Sequence, residues 1–283
     1  MKFIMTGHKG LIGNFLLKYL EDRGDEAVLL IDKREGKNVL NIEKIEFNGK
    51  IDMLIHLASF CKINKTIENS ELAFDNNVLG IYKVMEFCKK NKILKVVFTS
   101  SSRILKEEKN PYTASKIYGE ELIRAYSQCY GIDYVIVRPS TVYGPFNDLT
   151  ERLIDIFILN ALQDKELKIF GDKNKTLDFT YIDDFIEGFL IAMEQKNKEF
   201  EISSGKSTSV DFIADFIIRL AGKGRKGFYS PEIAQPQNVE IDISAVKKLG
   251  YSPKVSVEEG VKKTFDWYKD NFEDIMRDRS HVK

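Results

Sequence analysis

"KFIMTGHKGLIG" (residues 2–13) is a short apolar run that breaks into a turn punctuated by Gly7, Gly10 and Gly13. Beyond the break Leu11, Phe15, Leu16, Tyr19 and Leu20 recur at helical spacing, so the stretch reads as strand, turn and helix. Gly7 can take a left-handed turn at the strand end, Gly10 lets a pyrophosphate approach backbone N–H groups, and Gly13 lets helix and strand pack closely. The helix start at Leu11 and Ile12 then offers phosphates the positive end of a dipole. A glycine triplet alone also suits an ordinary tight turn. Asp32 adds the second half of the pattern: it closes the apolar run "EAVLLID" nineteen residues after Gly13. A carboxylate there accepts both ribose hydroxyls of an adenosine and repels a 2′-phosphate, which favours NAD. Lys33 and Arg34 follow directly, suit a 2′-phosphate, and keep NADP open.

Further along, "DMLIHLA", "LKVVFTSS" and "IDYVIVRP" are continuous apolar runs alternating with longer helical stretches at 76–91 and 112–130. Continuous rather than alternating apolar character means strands covered on both faces, as in a parallel sheet between helix layers. The expectation is a doubly wound α/β domain over 1–142. Helical candidates at 151–163, 182–195, 209–221 and 257–272, joined by short strands such as "LKIF" and "EFEI", point to a smaller, irregular α/β substrate domain over 143–283, with segments returning to the first. Lys+Arg and Asp+Glu both number 43 in 283 residues, so no basic field exists to hold nucleic acid. Cys61, Cys88 and Cys129 are odd in number and far apart, which fits reduced thiols in a cytoplasmic protein. The apolar run 3–5 is too short for a signal peptide, and nothing approaches the roughly 18 residues of a membrane span. No metal is expected.

The chemistry concentrates in "SSSRILKEEKNPYTASK" (residues 100–116). Asn110 and Pro111 make a good helix start. Tyr112 and Lys116 then share one face, and an ammonium beside a phenol favours the phenolate, the form a general base needs. Lys116 can also grip a nicotinamide ribose. Ser101, at the tip of "KVVFTSS", is placed to hydrogen-bond the substrate oxygen that Tyr112 would deprotonate. A Tyr and Lys four apart can be a mere surface pair, but beside a dinucleotide loop and a serine-tipped strand that reading weakens.

Together with "NNVLG", "VRPSTVYGP", "LDFTYIDD" and "LGYSPKVSVEEGVKKTFDWY", these motifs resemble the extended short-chain dehydrogenase/reductases, the Rossmann-fold epimerases and dehydratases of nucleotide sugars, over nearly the whole chain. The resemblance implies a catalytic triad of Ser101, Tyr112 and Lys116. It puts Asn38 and Val39 beside the adenine, Leu57, Ala58 and Thr99 along the dinucleotide, and Asn77 in support of the lysine helix and cofactor. Pro139, Thr141 and Val142 would lie near the nicotinamide amide, and Ser101, Ser102, Tyr112 and Thr141 near the substrate. It also implies a homodimer through the helices at 76–91 and 112–130, with Tyr82, Met85, Phe87, Leu122, Tyr126 and Tyr130 as candidate apolar contacts.

Departures from the family pattern narrow the reaction. Dehydratases carry adjacent Asp and Glu where this chain has Ser102 and Arg103, which disfavours dehydration and decarboxylation. Hydride chemistry remains: an NAD-retaining 4-epimerase, or an NADPH-consuming 4-ketoreductase of a keto-deoxy nucleotide sugar, with a non-catalytic dinucleotide sensor as a third reading. Thr141 and Leu177 stand where relatives place an Asn and an Arg, and the arginine expected near Gln235 and Pro236 is missing. Lys173, Lys175, Lys223, Arg225 and Lys226 are the cations left to hold a diphosphate. The stretch between Ser101 and Tyr112 is also shorter than in relatives, which opens the sugar pocket.

Overall fold

The structure, a computed structural model, describes residues 1–280. Its strands are β1 (Lys2–Thr6), β2 (Glu26–Ile31), β3 (Met53–His56), β4 (Lys95–Thr99), β5 (Asp133–Pro139), β6 (Thr141–Tyr143), β7 (Glu166–Phe170), β8 (Thr176–Tyr181), β9 (Lys198–Ile202), β10 (Ser207–Ser209) and β11 (Arg225–Tyr229). Two compact units emerge. The first comprises Met1–Ser140, Ile186–Ile202 and Ile243–Tyr251, and the second Thr141–Phe185, Ser203–Asp242 and 252–283.

The first unit is built on a six-stranded sheet in the order β2-β1-β3-β4-β5-β9, with every pairing parallel. The order reverses between β1 and β3, which makes the carboxyl ends of those strands the crevice of a doubly wound sheet. Ile4, Leu54, Val96 and Ile136 in the strands, with Val84, Met85 and Ile123 in the helices, are completely or almost completely buried in one core. Phe3, Met5, Ile55, Val97 and Val135, which alternate with them along the same strands and point to the other face, are fully buried too, as the unbroken apolar runs required.

Three elements differ from the sequence reading. "EFEI" forms β9, which pairs with β5 at the edge of the first unit's sheet rather than joining the second unit. Its alternating Glu199 and Glu201 meet Arg138 of β5, a long-range pairing that no local pattern announces. The stretch expected as one helix at 76–91 starts earlier, as a short turn Glu71–Ala73 and a π-helical segment Phe74–Leu79, before the regular helix Gly80–Lys90. The helix expected over 257–272 is two, Val257–Asp270 and Phe272–Ser280.

In the second unit β8 lies between β6, parallel, and β10, antiparallel, while β7 and β11 form a separate parallel pair. Its loops are tied by buried carboxylates. Asp178 accepts from the backbone N–H groups of Ser204 and Gly205 (3.1 and 2.9 Å), and Asp184 from those of Lys254 and Val255 (3.0 and 2.9 Å). Among the described residues no helix is long and apolar enough to cross a membrane, and all three cysteines are free.

Candidate active site

At the end of β1 the chain turns at Gly7 with φ +79°, and a Cβ there would stand 2.6 Å from the Ala58 nitrogen. Glycine is therefore required both by the left-handed backbone and by the close approach of the Leu57–Ala58 peptide. Thr6 completes the junction: its carbonyl accepts from Leu57 N (3.1 Å), and its hydroxyl accepts from Ala58 N (3.2 Å). Gly10 caps the helix Leu11–Asp22, whose first-turn N–H groups at Leu11, Ile12 and Gly13 lack intrahelical acceptors. Such a turn is an anion cradle. Asp32 lies just beyond β2 and accepts from Arg34 N (2.9 Å) and Lys9 N (3.1 Å), stitching the second turn to the first.

Asn38 spends its side-chain oxygen on capping its own turn at Leu40 N, and Val39 turns its side chain into the core. Asn77 sits in the π-helical segment, a geometry common at functional sites. Its amide NH2 donates to the Phe60 carbonyl (3.0 Å) and to Ser115 Oγ (2.9 Å), and its oxygen accepts from Phe60 N (2.8 Å). One buried amide thus joins the loop after β3 to the helix that carries the tyrosine and lysine.

That helix, Pro111–Tyr130, opens with a reciprocal cap: Asn110 accepts from Thr113 N at 3.0 Å while Thr113 Oγ1 accepts from Asn110 N at 2.9 Å. Tyr112 and Lys116 follow on its first turns, and both are buried. Lys116 Nζ donates to the Thr99 carbonyl at the end of β4 (2.8 Å) and lies 4.9 Å from the centre of the Phe98 ring and 5.9 Å from that of Tyr112. Burial pulls its ammonium down to about 8, against a smaller upward pull from Cys61 and Glu120. Close approach of helix to strand depends on Gly119, where a Cβ would meet the Phe98 ring at 2.8 Å. Ser101, also buried, starts the turn Ser102–Leu105 and accepts from Arg103 N (3.3 Å). Ser101, Tyr112 and Lys116 therefore all stand at the carboxyl end of β4 or on the helix packed there.

Two residues that the sequence reading passed over belong here. His56 ends β3, stacks on Phe98 and shares a 2.7 Å hydrogen bond with Thr6. Burial, assisted by the Lys116 charge, depresses its imidazole to about 3, so it is neutral beside the lysine. Its position inside the apolar run "DMLIHLA" was the available signal. Glu120, one turn beyond Lys116, is gripped by Arg138 at 2.8 and 2.5 Å. Although burial opposes its charge, hydrogen bonds from Arg138 hold its carboxyl below the usual range.

Pro139 ends β5 in the first unit. Thr141 and Val142 form β6 of the second, where Val142 is fully buried. Leu177 is core of that unit. Three of the cations considered for a diphosphate are already engaged: Lys226 pairs with Asp211 and Asp215 (2.5 and 2.8 Å), Arg225 stands 3.9 Å from Glu166, and buried Lys175 donates to the Phe170 carbonyl (3.0 Å).

Residues 3–203 match the model of the NAD-dependent epimerase/dehydratase family. The chain belongs to that family. A relative in Methanocaldococcus jannaschii, a putative UDP-glucose 4-epimerase, is 32% identical, over 95% of this chain and 98% of the relative. A UDP-glucuronate 4-epimerase of Thermodesulfobacterium geofontis is 33% identical, over 96% and 97%. Among solved structures, the UDP-glucuronic acid 4-epimerase of Bacillus cereus, in complex with UDP-glucuronic acid and NAD, superposes with a TM-score of 0.85 at 26% identity, covering 95% of this chain and 99% of that one. The residues fit the family's cofactor. Besides the anion cradle, the Thr99 hydroxyl at the end of β4 and His8 Nδ1 in the first turn are buried polar atoms with no partner among the described residues, as a groove built for a polar ligand leaves them.

Proposed function

We propose that the chain is an NAD-dependent 4-epimerase of a nucleotide-activated sugar. The observation that carries this reading is the grouping of Ser101, Tyr112 and Lys116 at the end of β4, with the Lys116 ammonium fixed on the Thr99 carbonyl. NAD, when bound, supplies the acceptor and later the donor of the C4 hydride. Tyr112 takes the proton of the C4 hydroxyl and returns it to the same oxygen once the 4-keto sugar has turned its other face. Lys116 stabilises the phenolate between those steps, and Ser101 donates a hydrogen bond to that oxygen throughout. Ser102 and Arg103 offer no carboxylic acid to expel a hydroxyl, which supports epimerisation over dehydration. The second unit, with Thr141, is assigned to the substrate, and the full assembly to a homodimer. Free cysteines accord with a reducing, cytoplasmic setting.

A 4-ketoreductase is the alternative, supported by the cations Lys9, Lys33 and Arg34 around the first turn. One experiment separates the two. Mass spectrometry of the purified protein is expected to find bound NAD, and a nucleotide-sugar panel to reveal a C4 epimer pair interconverted without net cofactor use. Tyr112→Phe should lower turnover by roughly a hundredfold or more while dinucleotide stays bound. Stoichiometric NADPH oxidation with a keto sugar would replace the epimerase reading, and full activity of the Phe variant would remove the tyrosine from the mechanism.

A further inference from the structure

The turns after β1 and β2, which flank the adenosine ribose in a doubly wound sheet, are bound together by a dense set of charges. Glu35 reaches back across them: one carboxylate oxygen lies 2.7 Å from Lys9 Nζ and the other 3.2 Å from His8 Nε2. Arg34 Nη1 donates to the Lys9 carbonyl (2.7 Å), and its Nε stands 3.9 Å from Asp32. Lys33 Nζ lies 5.8 Å from the centre of the Phe60 ring. His8, only 3% exposed, keeps Nδ1 without a partner among the described residues. The Lys9 and His8 hydrogen bonds hold Glu35 below the usual carboxylate range, so it is a fixed negative charge at neutral pH.

Lys9, His8 and Arg34 are the donor types that a 2′-phosphate recruits, an ammonium, an imidazole and a guanidinium converging from two turns. Here the first two face a carboxylate instead. We propose that Glu35 is a specificity-determining residue, an internal anion that engages Lys9 and His8 and thereby reserves the site for a dinucleotide with a free 2′-hydroxyl. Asp32 adds its own negative charge, but two backbone N–H groups of the same turns already stabilise it. Glu35 is the carboxylate that the Lys9 and His8 side chains face, so its loss frees them. A phosphate dianion entering the native site meets repulsion from both carboxylates and must also displace Glu35 from Lys9 and His8.

The inference rests on the dinucleotide reading and is tested by binding rather than turnover. Wild type and Glu35→Gln, each freed of bound dinucleotide, are titrated with NADH and NADPH by fluorescence, and with AMP and adenosine 2′,5′-bisphosphate by calorimetry. The ratio of the NADPH to the NADH dissociation constant should fall by at least about tenfold in Glu35→Gln, with the bisphosphate to AMP ratio falling in parallel. Lys9→Met in the Glu35→Gln background should return both ratios toward wild type. Glu35 is 38% exposed on a surface turn, so the isosteric amide leaves the core untouched. A change smaller than tenfold, or a gain that survives loss of Lys9, overturns the proposal. Wild type that binds neither dinucleotide overturns the cofactor reading itself, an outcome distinct from an unaltered preference.

Discussion

Lys116 shows how much of the site depends on one buried charge. Its value near 8, down from 10.5, arises first from burial. The ammonium that favours the phenolate therefore persists below about pH 8 and is lost above it. In the dinucleotide-free protein, affinity for NAD should fall as pH rises through about 8, and Lys116→Met should abolish that limb. The sign of the stability effect is opposite. The unfolded chain holds this proton to a higher pH than the folded one, so stability against urea should rise between about pH 8 and 10.5 and be flatter in Lys116→Met. A pH-independent NAD affinity would remove Lys116 from the ribose site. Four residues away, the spacing that suggested a pair was legible, because helical geometry is local. What spacing does not disclose is that Thr99, Phe98 and His56 enclose the lysine, and enclosure sets its proton affinity.

Among the elements, the helix Pro111–Tyr130 shows which features a sequence reveals. Asn110, Pro111 and the following apolar spacing marked its start, since capping involves only neighbours. Its anchorage was not visible. Arg138 of β5 joins Glu120 of this helix to Glu199 and Glu201 of β9, and Arg124 adds contacts to Glu120 and Glu199. Arg138 and Glu120 are nearly fully buried, so removing the guanidinium leaves a carboxylate short of its main partner. Arg138→Leu should cost about 3 kcal/mol in urea unfolding, the lower end for a broken buried pair because Arg124 remains. A loss under about 1 kcal/mol would mean that the cluster is solvated like a surface pair.

For the whole molecule, the apolar contacts named for a homodimer separate into two sets. Met85, Phe87 and Tyr126 are buried in the first unit's own core and Leu122 packs partly buried against it, whereas Tyr82 and Tyr130 remain 40% and 50% exposed. Phe74, Ile117 and Tyr118, on the same helical segments, are exposed as well. Light scattering should therefore give about twice the 32.6 kDa chain mass at micromolar concentration, and Tyr82→Lys combined with Tyr118→Lys should yield monomer. A monomeric wild type would sink the dimer. From its residues alone the chain declared the strand order's raw material, the phosphate turn, the capped helix and the Ser, Tyr and Lys, because each depends on contacts a few residues apart. The place of β9, the burial of Lys116 and the grasp of Glu35 on Lys9 and His8 were decided only in three dimensions, where parallel pairing and charge compensation join positions that local periodicity leaves unrelated.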